Sequence, residues 1–180
     1  MCGWGPYGWS SILRTPTSMD EFEKYLNKAL RFLSYRPRSE KEIRDKLLMK
    51  KAPQDIVDKV INSLREHKFL DDEKYAKWFI ENRLRFNPKG QRILKMELKQ
   101  KGVSSEIIEE AIKNLSGDGE TELPSNDLDS ARKLVEKKLP RYKDLEKQII
   151  YNKLGSFLAR RGFGWDTIKK SIDESLEKGV

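Results

Sequence analysis

The apolar positions of this chain fall at helical spacing and then recur. Ile43 and Leu47, followed by Ile56, Val60 and Leu64, form one stripe on each of two successive helices. Moving the sequence by 51 positions lays residues 39–64 on 90–115 without a gap. Ile43 then falls on Leu94, Leu47 on Leu98, Ile56 on Ile107, Val57 on Ile108, Ile61 on Ile112 and Leu64 on Leu115. A period of this length marks stacked helical units, each expected to be too small to bury its apolar face alone.

A third copy is stretched. An offset of 60 matches Leu94, Leu98, Lys101-Gly102, Ile108 and Ile112 to Leu154, Leu158, Arg161-Gly162, Ile168 and Ile172, whereas an offset of 51 sets Ile80 on Ala131. The extra residues therefore lie between about 134 and 154, where Pro140 ends or kinks a helix.

The local signals mark the helix ends. Ser18 with Glu21 and Ser39 with Glu42 have the S-x-x-E spacing of a capping box, and Asp71 caps a helix whose first turn carries Asp72 and Glu73. Pro37, Pro53 and Pro88 interrupt helical runs, while Gly102 and Gly162 stand where a left-handed helix end favours glycine. The pattern predicts helices near 20–35, 40–51, 54–67, 72–86, 90–101, 105–115, 128–139, 144–161 and 166–178, and no strand. Phe32, Trp78, Phe79, Phe157 and Trp165 are expected in cores or between helices.

The fold expected is all-α, an elongated and curved array of three tandem three-helix repeats. Residues 1–19 read as a flexible aromatic arm carrying Trp4, Tyr7 and Trp9, residues 20–67 as the first repeat and 68–116 as the second. An acidic linker with Gly117, Gly119 and Pro124 spans 117–127 and acts as a hinge, and 128–180 form the third repeat. Equal shares of hydrophobic and charged residues, 37% each, suit slender helical layers with much exposed surface.

Composition removes several classes of function. Cys2 is the only cysteine and His67 the only histidine, so no disulfide within the chain and no ordinary Cys/His zinc site is possible. The longest apolar runs fall far short of the roughly 18 residues a membrane span needs. With no disulfide a reducing cytoplasm fits, and residues 1–11, which lack a basic stretch followed by an apolar core, do not read as a secretory signal. Adjacent Asp71 and Asp72 read as capping residues, and Ser39 has no base beside it. No acid–base pair, metal cluster or phosphate loop emerges, so neither catalysis nor a cofactor is expected.

Charge points to a partner. The formal net charge is +8, with −1 in residues 1–27, +8 in 28–115, −5 in 116–129 and +6 in 130–180. The excess sits in the repeats and favours an anionic partner through long-range attraction. Basic residues recur at matched places, Arg38 with Lys89, Arg44 with Lys95 and Lys50 with Lys101, as a ladder of cations. Arg36 and Arg38 flank Pro37 as forked donors for carboxylate or phosphate, and Arg160-Arg161 close a helix beside Gly162. With Arg83, Arg85 and Arg92 these twelve form the candidate contact set.

Several segments carry a resemblance. Arg36-Pro37-Arg38-Ser39-Glu40-Lys41-Glu42-Ile43-Arg44-Asp45-Lys46-Leu47, then Phe69-Leu70-Asp71-Asp72-Glu73-Lys74-Tyr75-Ala76, then Pro88-Lys89-Gly90 and Leu98-Lys99-Gln100-Lys101-Gly102-Val103 resemble the successive signatures of the RecX family. Arg160-Arg161-Gly162-Phe163 is similar to its ending motif, and the likeness runs from about residue 27 to 177. One departure is Lys50-Lys51-Ala52, where the family usually carries Lys-Gly.

The resemblance implies tandem three-helix units that regulate RecA recombinase without catalysis, usually by binding in the groove of the RecA filament on single-stranded DNA. It makes the expected partners the RecA filament and single- or double-stranded DNA. No membrane is expected as a partner, and the polar helix faces give no seam for an oligomer, so a monomer is expected. Two other classes fit the charge: a DNA-binding helical repeat protein acting alone, and a helical scaffold for another acidic protein.

Overall fold

The computed structural model describes residues 18–114, 126–142 and 144–178. Among them it has nine α-helices and no strand. The first unit holds α1 (Ser18–Tyr35), α2 (Glu40–Met49) and α3 (Gln54–Glu66). The second holds α4 (Asp72–Phe86), α5 (Gln91–Gln100) and α6 (Ser105–Asn114), and the third α7 (Asp127–Lys138), α8 (Lys147–Arg160) and α9 (Trp165–Lys178). The aromatic arm, the Ser18 side chain, Leu115 and the acidic segment with Gly117, Gly119 and Pro124 lie outside the described residues.

Each unit closes its own core. Ile43, Leu47, Ile56, Val57, Val60, Ile61 and Leu64 are buried together in the first, joined by Tyr25 and Ala29 from α1. Tyr75, Ile80, Leu94, Leu98 and Ile108 do the same in the second, and Val135, Leu154, Leu158, Ile168 and Ile172 in the third. Burying one such side chain contributes roughly 1.5–3 kcal/mol, so these clusters are the main support of each unit. The principal helix packings all lie within units. Neighbouring units meet through a smaller set of contacts, among them Ile93 against Gly162 and Lys41 against Gly102.

The aromatic residues divide. Phe79 is buried, and Phe32, Trp78 and Phe157 pack against the three cores. Trp165 does not: as the first residue of α9 it projects from the helix start and is 70% exposed.

Two repeated details refine the register of the third copy. Lys46 lies over the Phe32 ring at 5.6 Å, Arg83 donates to Glu97 at 3.0 Å, and Lys138 lies over the Phe157 ring at 4.2 Å. These are the same contact between the first and second helices of each unit. The N-caps agree, with Asp71 accepting from Lys74 N and Asn126 accepting from Asp129 N. The first helices of units two and three are thus offset by 55, so Ile80 corresponds to Val135 and not to Ala131. The extra length is split between the segment before α7 and the stretch between α7 and α8. Pro140 lies there in a 3₁₀ turn, Leu139–Tyr142, that ends α7.

Each second helix ends in a left-handed turn. Gly102 and Gly162 have φ of +83° and +84°. In the first unit Lys51 holds the equivalent place at φ +60°, so the turn survives without its glycine. The reason is geometric. A methyl group on Gly102 would sit 2.7 Å from Lys41 Cβ, and one on Gly162 would sit 2.5 Å from Ile93 Cγ1, both in the preceding unit. The first unit has no preceding unit among the described residues, and Lys51 is exposed.

Candidate functional site

The junctions between units are built from the same positions twice. At the first, the Ser39 hydroxyl caps α2 by accepting from Glu42 N at 3.2 Å and also donates to the Lys101 carbonyl at 2.7 Å, beside Gly102. At the second, Gly90 N donates to the Arg161 carbonyl at 2.9 Å, beside Gly162. Gly90 corresponds to Ser39, and a side chain there would run into the backbone of Gly162. In the first unit Tyr25 takes this place: its hydroxyl lies 3.4 and 3.3 Å from the carbonyls of Lys50 and Lys51. The orphan carbonyls at each helix end are thereby met.

A second link runs the other way. Asp72 of α4 accepts from Glu40 N at 3.1 Å, and Asp127 of α7 accepts from Gln91 N at 3.0 Å. Each unit thus caps the second helix of the unit before it, where a carboxylate also meets the positive end of the helix dipole. Burial pushes the pKa of both carboxyl groups up.

The polar filling of the two junctions differs. At the first, Arg36 grips Glu42 with two bonds of 3.0 and 3.1 Å, and Lys101 reaches the same carboxylate at 2.7 Å. Burial opposes ionisation of Glu42, but the two cations outweigh it and hold its pKa near about 2. Tyr75 lies beneath, 2% exposed, its hydroxyl facing Glu42 and Arg36 without a hydrogen bond, and burial pushes its pKa up to about 12. At the second junction Asn87, Ile93 and Ser130 stand for Arg36, Glu42 and Tyr75. Arg161 donates there to Asn87 Oδ1 at 2.6 Å and to the Pro88 carbonyl at 2.9 Å, and its guanidinium covers the Phe157 ring at 4.7 Å. The capping box expected at Ser39 and Glu42 is therefore half present, because the Glu42 carboxylate is taken by Arg36 of its own unit and Lys101 of the next.

Most candidate cations have partners inside the molecule. Arg36, Lys101 and Arg161 sit in the junctions. Arg44 pairs with Asp58 and, at 3.6 Å, with Glu40, while Lys95 pairs with Glu109 at 2.7 Å. Arg44–Asp58 and Lys95–Glu109 are one repeated link between second and third helices. Arg83 and Lys89 share Glu97. Arg38 donates through Nε to the Phe32 carbonyl at 3.0 Å, and so closes α1. Lys50, Arg85, Arg92 and Arg160 are exposed and have no partner among the described residues. Arg92, Lys95, Met96, Lys99 and Gln100 line a shallow depression along the outer side of α5.

Among the described residues no group of three acidic, histidine or cysteine side chains gathers as a metal site, and no helix is long and apolar enough to cross a membrane. Asp71 caps its own helix and Asp72 its neighbour's. His67 Nδ1 lies 2.8 Å from the Ser63 carbonyl, and its ring stacks on exposed Phe69.

Models of the three successive three-helix domains of RecX match residues 26–64, 71–112 and 125–172, one to each unit. The chain belongs to the RecX family. RecX of Bacillus subtilis, named a regulatory protein, is 34% identical over 155 residues, which cover 86% of this chain and 56% of that protein. The regulatory protein RecX of Clostridium tetani is 33% identical over 169 residues, 91% of this chain and 73% of the relative. The chain thus spans a little over half the length of the Bacillus protein. The crystal structure of RecX from Lactobacillus salivarius superposes with a TM-score of 0.71 at 28% identity, covering 87% of this chain and 97% of that one. In RecX terms, the junction residues Ser39 and Glu42 belong to the first domain, Asp72, Gly90 and Lys101 to the second, and Asp127 and Arg161 to the third.

Proposed function

We propose that this chain is a regulator of RecA recombinase, acting as a negative modulator. It lies along the groove of the RecA filament on single-stranded DNA and lowers ATP-dependent recombination, by covering DNA sites or hastening subunit loss. The observation that carries this reading is the match to all three RecX domains in order, with relatives named as regulatory proteins. Two junctions that reuse the same positions support it, since a row of repeated units suits a partner that itself repeats. The chain acts as a monomer in the cytoplasm and performs no chemistry of its own.

The contact set narrows in this reading. Lys50, Arg85, Arg92 and Arg160 engage the filament's acidic surface or its phosphates, and the other eight candidates chiefly hold the molecule together. The test is ATP turnover and filament assembly by the cognate recombinase on single-stranded DNA, titrated with this protein. Turnover and filament length should fall together. No binding and unchanged turnover at saturating protein would reject the regulatory role.

A further inference from the structure

Two exposed aromatic side chains hold the same place in successive units. Tyr35 ends α1 and Phe86 ends α4, 51 positions apart, and they are 70% and 76% exposed. Each opens a loop of like pattern, Tyr35-Arg36-Pro37-Arg38 and Phe86-Asn87-Pro88-Lys89. The inner members of both loops are held in place, Arg36 by Glu42, Arg38 by the Phe32 carbonyl, Asn87 and Pro88 by Arg161, and Lys89 by Glu97. Packing uses neither aromatic ring. A single exposed aromatic needs no explanation, but two at equivalent positions beside ordered loops do.

The surroundings identify the chemistry. Residues 24–39 contain Lys24, Lys28, Arg31, Arg36 and Arg38 and no acid, and residues 82–92 contain Arg83, Arg85, Lys89 and Arg92 and no acid. Glu42 and Glu97 balance Arg36, Arg83 and Lys89 from other helices, and Lys24 and Lys28 lie over the Tyr25 ring. At the solvent edge this leaves Arg31, whose pKa the Tyr35 hydroxyl raises, and Arg85 and Arg92, which have no partner among the described residues. An acidic protein would satisfy the charge alone. Exposed rings in acid-free, arginine-bearing stretches of two successive units also satisfy an unpaired strand, whose bases stack while its phosphates meet arginine.

We propose that Tyr35 and Phe86 are a pair of base-stacking platforms for single-stranded nucleic acid, with one strand passing both units. The platform is double and not triple, because the offset of 55 puts Arg141 at this place in the third unit. This inference adds to the regulatory reading and does not depend on it, since its test contains no recombinase.

The experiment is fluorescence anisotropy of labelled dT and rU strands of about thirty nucleotides, titrated with the full chain at several salt concentrations. Stacking is worth enough per base that Tyr35→Ala with Phe86→Ala should weaken binding by about 30-fold or more, with the salt slope unchanged. Tyr35→Leu with Phe86→Leu should lose as much, Phe86→Trp alone should keep wild-type affinity, and duplex affinity should not move. The dT and rU arms show which strand is preferred. Absence of strand binding by the wild-type chain, wild-type affinity in the alanine pair, or full affinity in the leucine pair would overturn the proposal. Both rings are exposed, so unchanged thermal unfolding separates lost binding from lost structure.

Discussion

At the scale of one residue, the left-handed turns separate local conformation from packing. Lys51, Gly102 and Gly162 share a backbone shape, yet only the two glycines press against a preceding unit. Glycine relieves the strain of positive φ at all three places, and closeness to the neighbour forbids a side chain at two. Lys51→Gly should therefore stabilise the protein by about 0.5–1 kcal/mol, offset in part by the greater freedom of the unfolded chain. Gly162→Ala should destabilise it by about 2 kcal/mol or more, combining backbone strain with overpacking against Ile93. Urea unfolding midpoints check both, and a neutral Gly162→Ala would contradict the close approach. Sequence made the turns legible, because glycine after a helix has one common use. It did not make the reason for Lys51 legible, since that depends on which unit has a neighbour.

At the scale of elements, the junction around Glu42 predicts a pH dependence with a definite sign. Its folded pKa near about 2 lies below the ordinary 4.5, so the unfolded state binds the proton more tightly. The stabilisation is complete above about pH 4.5 and is lost as pH falls towards about 2; the shift corresponds to a free energy on the order of 3 kcal/mol. Glu42→Gln should remove most of this dependence, and the gap between variant and wild type should shrink across that window in urea unfolding. A gap that stayed constant from pH 6 to pH 2 would contradict the ionic junction, taking about 2 as the Glu42 value. Asp72 and Asp127 work in the opposite direction, because burial raises their pKa values and favours protonation in the folded state. The helices themselves were legible in sequence to within a residue or two, because caps, prolines and apolar stripes agree locally, except that α8 begins at Lys147 and not at 144. The capping partners were not. Asp72 and Asp127 satisfy helices 32 and 36 positions earlier, a distance across which local spacing carries no information.

For the whole molecule, charge seen in sequence and charge available to a partner are different quantities. The matched cations Arg44 and Lys95 repeat because their acceptors Asp58 and Glu109 repeat, so the ladder is in part a structural brace. Of the candidate set, Lys50, Arg85, Arg92 and Arg160 have no partner among the described residues, and a one-dimensional count cannot distinguish the two kinds. The distinction is measurable on single-stranded DNA. Each phosphate contact contributes about 0.7 to the slope of log affinity against log salt. Arg92→Gln with Arg160→Gln should reduce that slope by about 1.4 and leave the unfolding midpoint unchanged, as expected for groups that touch only the ligand. Arg44→Gln with Lys95→Gln should leave the slope nearly unchanged and instead cost up to about 1 kcal/mol of stability per pair, the range for partly exposed ion pairs. Equal slopes for the two double variants would mean that the braces open on binding, and the division of cations into braces and contacts would then fail.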